Sequence, residues 1–130
     1  MMQAKGSFEV TLAPQAGAEQ EGVGRLLLSK VFHGDLKGAG SGQMLSVGTS
    51  TPDSAGYVAM ETVQGSLHGR TGGFALQHNG TMNRGTPTLS VAVVPDSGTD
   101  QLTGLTGTMT IDRQDGQHFY VLNYELPTSE

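Results

Sequence analysis

The chain has no cysteine and no tryptophan, and only four phenylalanines and three tyrosines among its 130 residues. Without cysteine there is neither a disulfide nor a thiolate nucleophile, which fits a reducing compartment. With so few rings, the core falls mostly to Leu, Val, Met and Ala. Positive charge is also scarce. The formal net charge is -5 and Lys and Arg occur only as isolated singles. Nucleic-acid binding rests on basic groups that neutralise phosphates, so neither a nucleic acid nor an anionic membrane surface is expected as a partner. Apolar runs such as Leu26-Leu27-Leu28 are far too short to cross a bilayer. The stretch Met1 to Gly6 has no apolar segment of signal-peptide length, and a soluble cytoplasmic protein is expected.

What is present is glycine, at 20 residues, and short runs of alternating apolar and polar residues. That combination reads as a glycine-kinked sheet rather than disorder. Phe8 to Leu12 has the period-2 mark of a half-buried strand, ended by Pro14, and Gln15 to Gly22 reads as a loop. Val23 to Leu36 reads as one long strand. Leu26, Leu28, Phe32 and Leu36 share a parity there, and Lys30 falls among them, expected near a barrel end or at a bulge. Gly34 and Gly38 should bend it, and Gly38 to Gly42 is either a flexible loop or strand where bulky side chains do not fit. Gln43 to Ser50 returns as strand.

Ala55 to Gly69 is the central strand, with Tyr57, Ala59, Glu61, Val63 and Leu67 on one face. Arg70 to Gly73 is expected to turn the chain, and Phe74, Leu76, His78 and Met82 then share a face, with Gln77 opposite. Thr88 to Val94 is apolar on both parities, which suggests cover on both sides by another subunit. Pro95 to Leu105 is a connection with room for one short helical turn. Thr106 to Arg113 and Gln117 to Leu126 are the last strands, joined by the two-residue hairpin signal Asp115-Gly116, and the tail after Pro127 is expected to fray. About eight strands at hairpin spacing would leave two long edges in an open sheet. Closing the sheet removes them, so the expected fold is all-β: one antiparallel barrel domain over residues 1–130. A barrel of that size fills its interior with side chains or holds one small ligand.

The blocks Lys30-Val31-Phe32-His33-Gly34-Asp35-Leu36, Ser54 to Glu61, Gly73 to Gly80 and Val94-Pro95-Asp96-Ser97-Gly98-Thr99 resemble the signature of an uncharacterised family of small bacterial proteins. That family is similar in fold to the allene oxide cyclase barrel. The resemblance implies an eight-stranded antiparallel barrel, allene oxide cyclase-like and often homo-oligomeric. It does not imply cyclase activity. Of the plant cyclase's pocket, only the glutamate near the deep end has a loose parallel, Glu61, and the shortage of aromatics argues against a long lipid channel.

Glu61 is the sharpest candidate. If Tyr57, Ala59, Val63 and Leu67 face the interior, Glu61 faces it too and loses hydration, serving as a general acid or base, as an anchor for a polar ligand, or as a buried group satisfied by other donors; otherwise it faces out beside a solvated rim. His78 shares the inward parity of Phe74 and Leu76, and adjacent strand residues face opposite ways, so only one of Gln77 and His78 can join Glu61. Tyr57, Tyr120 and Tyr124 are candidate hydroxyl donors to the same cavity. His33, His68, His78 and His118 are scattered with no short-range ligand pair, so no metal is expected, and no dinucleotide or phosphate-loop motif implies a cofactor. Three readings of function follow. The first is a binding module holding a small, partly apolar ligand through Glu61, Tyr57, His78 or Gln77, Tyr120 and Tyr124. The second is an isomerase or cyclase using Glu61 as acid and base. The third is a structural oligomer with a filled barrel.

Overall fold

The computed structural model describes residues 1–15 and 22–127. Eight strands follow one another: β1 (Met2–Gln15), β2 (Gly24–Gly34), β3 (Leu36–Gly48), β4 (Ala55–Leu67), β5 (Arg70–Asn83), β6 (Thr86–Val93), β7 (Thr106–Gln114) and β8 (Gln117–Glu125). Each pairs antiparallel with the next and β8 returns to β1, closing an all-β barrel. A 3₁₀ turn at Asp100–Leu102 lies in the β6–β7 connection, where the sequence leaves room for one. Among the described residues no helix is long and apolar enough to cross a membrane. The tail after Pro127 and most of the loop expected at Gln15 to Gly22 lie outside the described residues.

The strand count matches the sequence reading, but three boundaries move. The stretch from Val23 to Leu36 is not one strand. The chain reverses at Gly34, whose φ of 104° suits glycine, and a Cβ there would press on the Lys5 carbonyl. Gly38 to Gly42 then belongs entirely to β3. The reversal between β4 and β5 uses His68 and Gly69, both with positive φ, rather than Arg70 to Gly73. Arg84-Gly85 and Asp115-Gly116 repeat that pattern, the backbone of tight two-residue hairpins. Pro14 does not end β1. It pairs with Leu26 of β2, at a height where β8 has already stopped, so its missing N–H is not needed on the other side.

Alternation along the strands fills the interior. Phe8, Phe32, Leu36, Val63, Leu67, Leu76, Val91, Met109, Tyr120 and Leu122 are all buried. One end is shut. There Leu102 and Leu105 are fully buried, and the Tyr120 hydroxyl accepts from Leu36 N at 2.9 Å and faces the carbonyl of His33 at 2.9 Å. The other end carries the β1–β2, β3–β4, β5–β6 and β7–β8 connections.

The wall is uneven. β3 and β4 are paired over their full length, from Leu36↔Leu67 to Gly48↔Ala55. β6 and β7 meet over two residue pairs, Val91↔Met109 and Ala92↔Thr108. On its other side, β8 leaves β1 beyond Phe8↔His118. Beyond Met109, β7 is therefore paired only with β8, and the hairpin tip from Gln114 to Gln117 is a tongue paired with neither β1 nor β6 at the loop-bearing end.

Candidate functional site

Four consecutive strands, β2 to β5, build the centre of the site. On β2, Lys30 follows the inward parity of Leu28 and Phe32 and is only 6% exposed. It lies opposite Gly40 of β3 in a regular ladder. The expectation that Lys30 sits at a barrel end or a bulge is thus corrected. A buried ammonium needs a counter-charge, and it finds one two strands away. Glu61 on β4 is 1% exposed, and its Oε1 lies 3.0 Å from Lys30 Nζ. The intervening strand contributes no side chain at this level, because it presents Gly40. A Cβ on Gly40 would stand 2.2 Å from Glu61 Oε2 and 3.3 Å from the Phe32 ring. The glycine leaves the gap through which the cation and the carboxylate meet.

β5 adds the third member. His78 is buried, and its Nε2 lies 2.9 Å from the same Glu61 Oε1. An ionised carboxylate only accepts, so Nε2 carries the proton and donates. Lys30 Nζ also lies 4.6 Å from the centre of the Phe8 ring and 5.7 Å from that of Phe32, a cation–π arrangement on two rings. Glu61 Oε2, against Gly40, is a buried acceptor without a partner among the described residues.

Burial pushes the Glu61 carboxyl up. The hydrogen bond from His78 and the charge and hydrogen bond of Lys30 outweigh it, so the carboxyl is held below the ordinary glutamate value. Glu61 is therefore ionised at neutral pH. A lowered native value means stability that is fully present above the unfolded glutamate value, about pH 4.3, and is lost as pH falls through the native one. The stability gap between the wild type and Glu61→Gln should be constant from pH 7 to 5 and shrink below pH 4. Urea unfolding at each pH measures it, and a gap that stays constant down to acid would show that the Glu61 charge is not held this way.

Above the ion cluster, towards the loop-bearing end, lies a cavity of about 180 Å³. Phe8, Val10, Leu28, Met44, Ala59 and Ile111 give it apolar walls, and partly exposed Leu12 and Leu89 stand at its rim. Its polar lining is Lys30, Tyr57, His78 and His118; Glu61 sits behind Lys30 and His78. The Tyr57 ring lies over Gly80, its cross-strand partner, and burial pushes its hydroxyl up. The His118 ring stacks on Phe8 with centroids 5.0 Å apart. Burial, aided by the charges of Arg113 and Lys30, pulls its imidazole down, so it is neutral at pH 7. A second concavity of about 400 Å³ beside the tongue shares Phe8, Val10 and His118 with this cavity.

Of the residues singled out in the sequence, the structure brings together Glu61, His78 and Tyr57. Gln77 points out of the barrel and is exposed, as strand alternation requires once His78 is inside. Tyr120 and Tyr124 are inward but belong to the shut end. The first hydroxyl is held by the backbone of Leu36 and His33, the second by His68 Nδ1, and neither reaches Glu61. Sequence reasoning missed Lys30 as a member of the site and saw His118 only as a scattered histidine. For Lys30 the signal was its parity with Leu28 and Phe32, read together with the Gly38, Gly40, Gly42 row that gives it room.

A family model described as a protein of unknown function (DUF3224) matches residues 4–124. A crystal structure of a protein with unknown function from the DUF3224 family of Shewanella oneidensis MR-1 is 44% identical. The match covers 99% of each chain with a TM-score of 0.92. No curated protein matches.

Proposed function

The chain belongs to the DUF3224 family of proteins of unknown function, and from that premise we propose that it is a binding protein whose barrel takes up one small, partly apolar molecule. The observation that carries this reading is a cavity with apolar walls that ends on a buried charged cluster. An apolar cavity of about 150 Å³ is enough to take up benzene, so about 180 Å³ suits a guest of one ring or a short chain. Lys30 and His78 meet its polar end, and Tyr57 lines it nearer the loops, level with Gly80. Glu61 acts from behind, fixing the Lys30 head and the His78 ring, rather than touching the guest. Convergent polar groups at the end of an apolar pocket are the usual form of a small-molecule site.

The four histidines provide a located test. His78 and His118 line the cavity, whereas His33 and His68 lie outside it. Titration with small neutral aromatics should move the ring-proton resonances of His78 and His118 together and leave those of His33 and His68 in place. Guests that move all four, or none, would overturn the reading. The expected homo-oligomer is retained as part of the proposal. It is supported by exposed Leu45 and Val58, which pair across β3 and β4, and by exposed Met60 beside them. A native mass spectrum gives the subunit count, and a monomer would remove that part.

A further inference from the structure

Resting on the cavity reading above, we infer that the guest enters and leaves sideways, through a slit in the barrel wall between Leu89 of β6 and Ile111 of β7.

The wall is cut lowest there. Between β3 and β4 the ladder climbs past Tyr57 to Gly48↔Ala55, and between β4 and β5 it climbs to Ala55↔Met82. Between β6 and β7 it stops at Val91↔Met109. Val91 is also the cross-strand partner of His78 on β5. The cut therefore comes down to the polar end of the cavity. Both strands run on above it, β6 back to Thr86 and β7 on to Gln114, and each stays paired on its other side. Among the described residues neither finds a partner across the gap.

The sequence supplies a reason. Asn83 and Thr86 close the two-residue hairpin at Arg84-Gly85 and bond each other, so Pro87, Leu89 and Val91 turn their backbone groups toward β7. Continued in register, the rungs above Val91↔Met109 would be Leu89↔Ile111 and then Pro87↔Arg113. Proline brings no N–H to its rung, and it is tolerated where a strand edge is free. Burial changes with the pairing. Val91 and Met109 are 2% and 3% exposed, whereas Leu89, the next inward position on β6, is 39% exposed. Yet Leu89 and Ile111 both line the cavity. A residue that faces both solvent and a cavity stands at its opening.

The wall has a second gap, where β8 leaves β1 beyond Phe8↔His118. That one is stoppered by the stacked rings of Phe8 and His118, which line the cavity on one side and the concavity of about 400 Å³ on the other. The slit at Leu89 has two aliphatic side chains across it instead. They pass between rotamers quickly, and no backbone hydrogen bond has to break.

Engineered cysteines test the slit cleanly, since the chain has none of its own. Ser90 and Thr110 are exposed and stand on the first rung above the last pair, so Ser90→Cys with Thr110→Cys lets a disulfide draw the slit shut. Fluorine line shapes of para-fluorobenzyl alcohol give its on- and off-rates. Oxidation should lower both rates about tenfold or more and leave the dissociation constant within about twofold, because closing a route changes rates and not the equilibrium. Reduction should restore them. A disulfide between Thr62→Cys and Ala75→Cys, partners on the unbroken β4–β5 ladder, should change neither rate. Leu89→Ala, which widens the slit, should raise both. Unchanged rates in the oxidised protein, equal slowing by the β4–β5 disulfide, or unchanged rates in Leu89→Ala would each overturn the inference and leave the cavity reading standing. If the wild type does not bind the probe, both fall. Leu89→Ala needs no bond to form, so a disulfide that fails to close does not blunt the test.

Discussion

Glu61→Leu should cost about 3–5 kcal/mol of folding stability, and adding Lys30→Met should restore most of it. Glu61 and Lys30 are both almost completely buried and joined at 3.0 Å. Leucine has nearly the right shape but leaves the Lys30 ammonium in the barrel with two rings for company and no counter-charge. Removing one partner of a buried pair costs far more than removing both, because the stranded charge keeps its desolvation penalty. In the double variant the chamber floor becomes aliphatic. The residual loss would be the unpartnered Nε2–H of His78, on the order of 1–3 kcal/mol. Urea unfolding of the four proteins forms a complete cycle. Two single losses that simply add in the double variant would show that the residues do not act as a pair.

Phe32→Ala should cost a similar amount, about 3–5 kcal/mol, and fall near the top of that range. Phe32 is 2% exposed and touches three groups that matter: Phe8 with ring centres 5.7 Å apart, Tyr120 edge-on at 5.8 Å, and the Lys30 cation. The cost of a core truncation depends on how far the neighbours can collapse into the space. Here the adjoining strand presents Gly38 and Gly40, which have no side chains to move in. Chemical denaturation of Phe32→Ala and Phe32→Leu decides it. Leucine should keep most of the stability, and an alanine variant within about 1 kcal/mol of wild type would mean that the void closes after all.

Much of this was legible from the residues because strands obey a strict period of two. The parity of Tyr57, Ala59, Glu61, Val63 and Leu67 put the carboxylate on one face with these residues without any knowledge of its surroundings, and the structure turns that face inward. Asp115-Gly116 announced its hairpin in the same local way. What parity cannot report is who stands across the barrel. Lys30 and Glu61 are 31 residues apart, and nothing local in either stretch names the other. A lone lysine in an apolar run therefore read as a rim residue, since that is the cheaper place for one. The turns at Gly34 and at His68-Gly69 were misjudged for a different reason. Gly72-Gly73 looked like punctuation but serves close packing, and of the two readings of Gly38 to Gly42, loop or crowded strand, the structure takes the second. Substituents at Gly38 would meet the backbone of Gln64, and at Gly72 that of Thr99. Tyr120 and Tyr124 have the inward parity but stand at the wrong height, a coordinate that alternation does not contain.

The two-pair junction between β6 and β7 has a mechanical meaning. A ring of eight strands fastened that briefly is a ribbon with a clasp. Parting the clasp forfeits little backbone bonding, whereas opening the β3–β4 join would forfeit a full ladder. Ile111 lies on β7 just beyond the clasp, where β7 has no pairing with β6, whereas His118 is tied back to Phe8 of β1. Lys30, Glu61 and His78 are anchored on the three strands opposite and stay where they are. The buried charges thus sit on the long-laddered side of the wall, and its weakest join lies beside part of the cover.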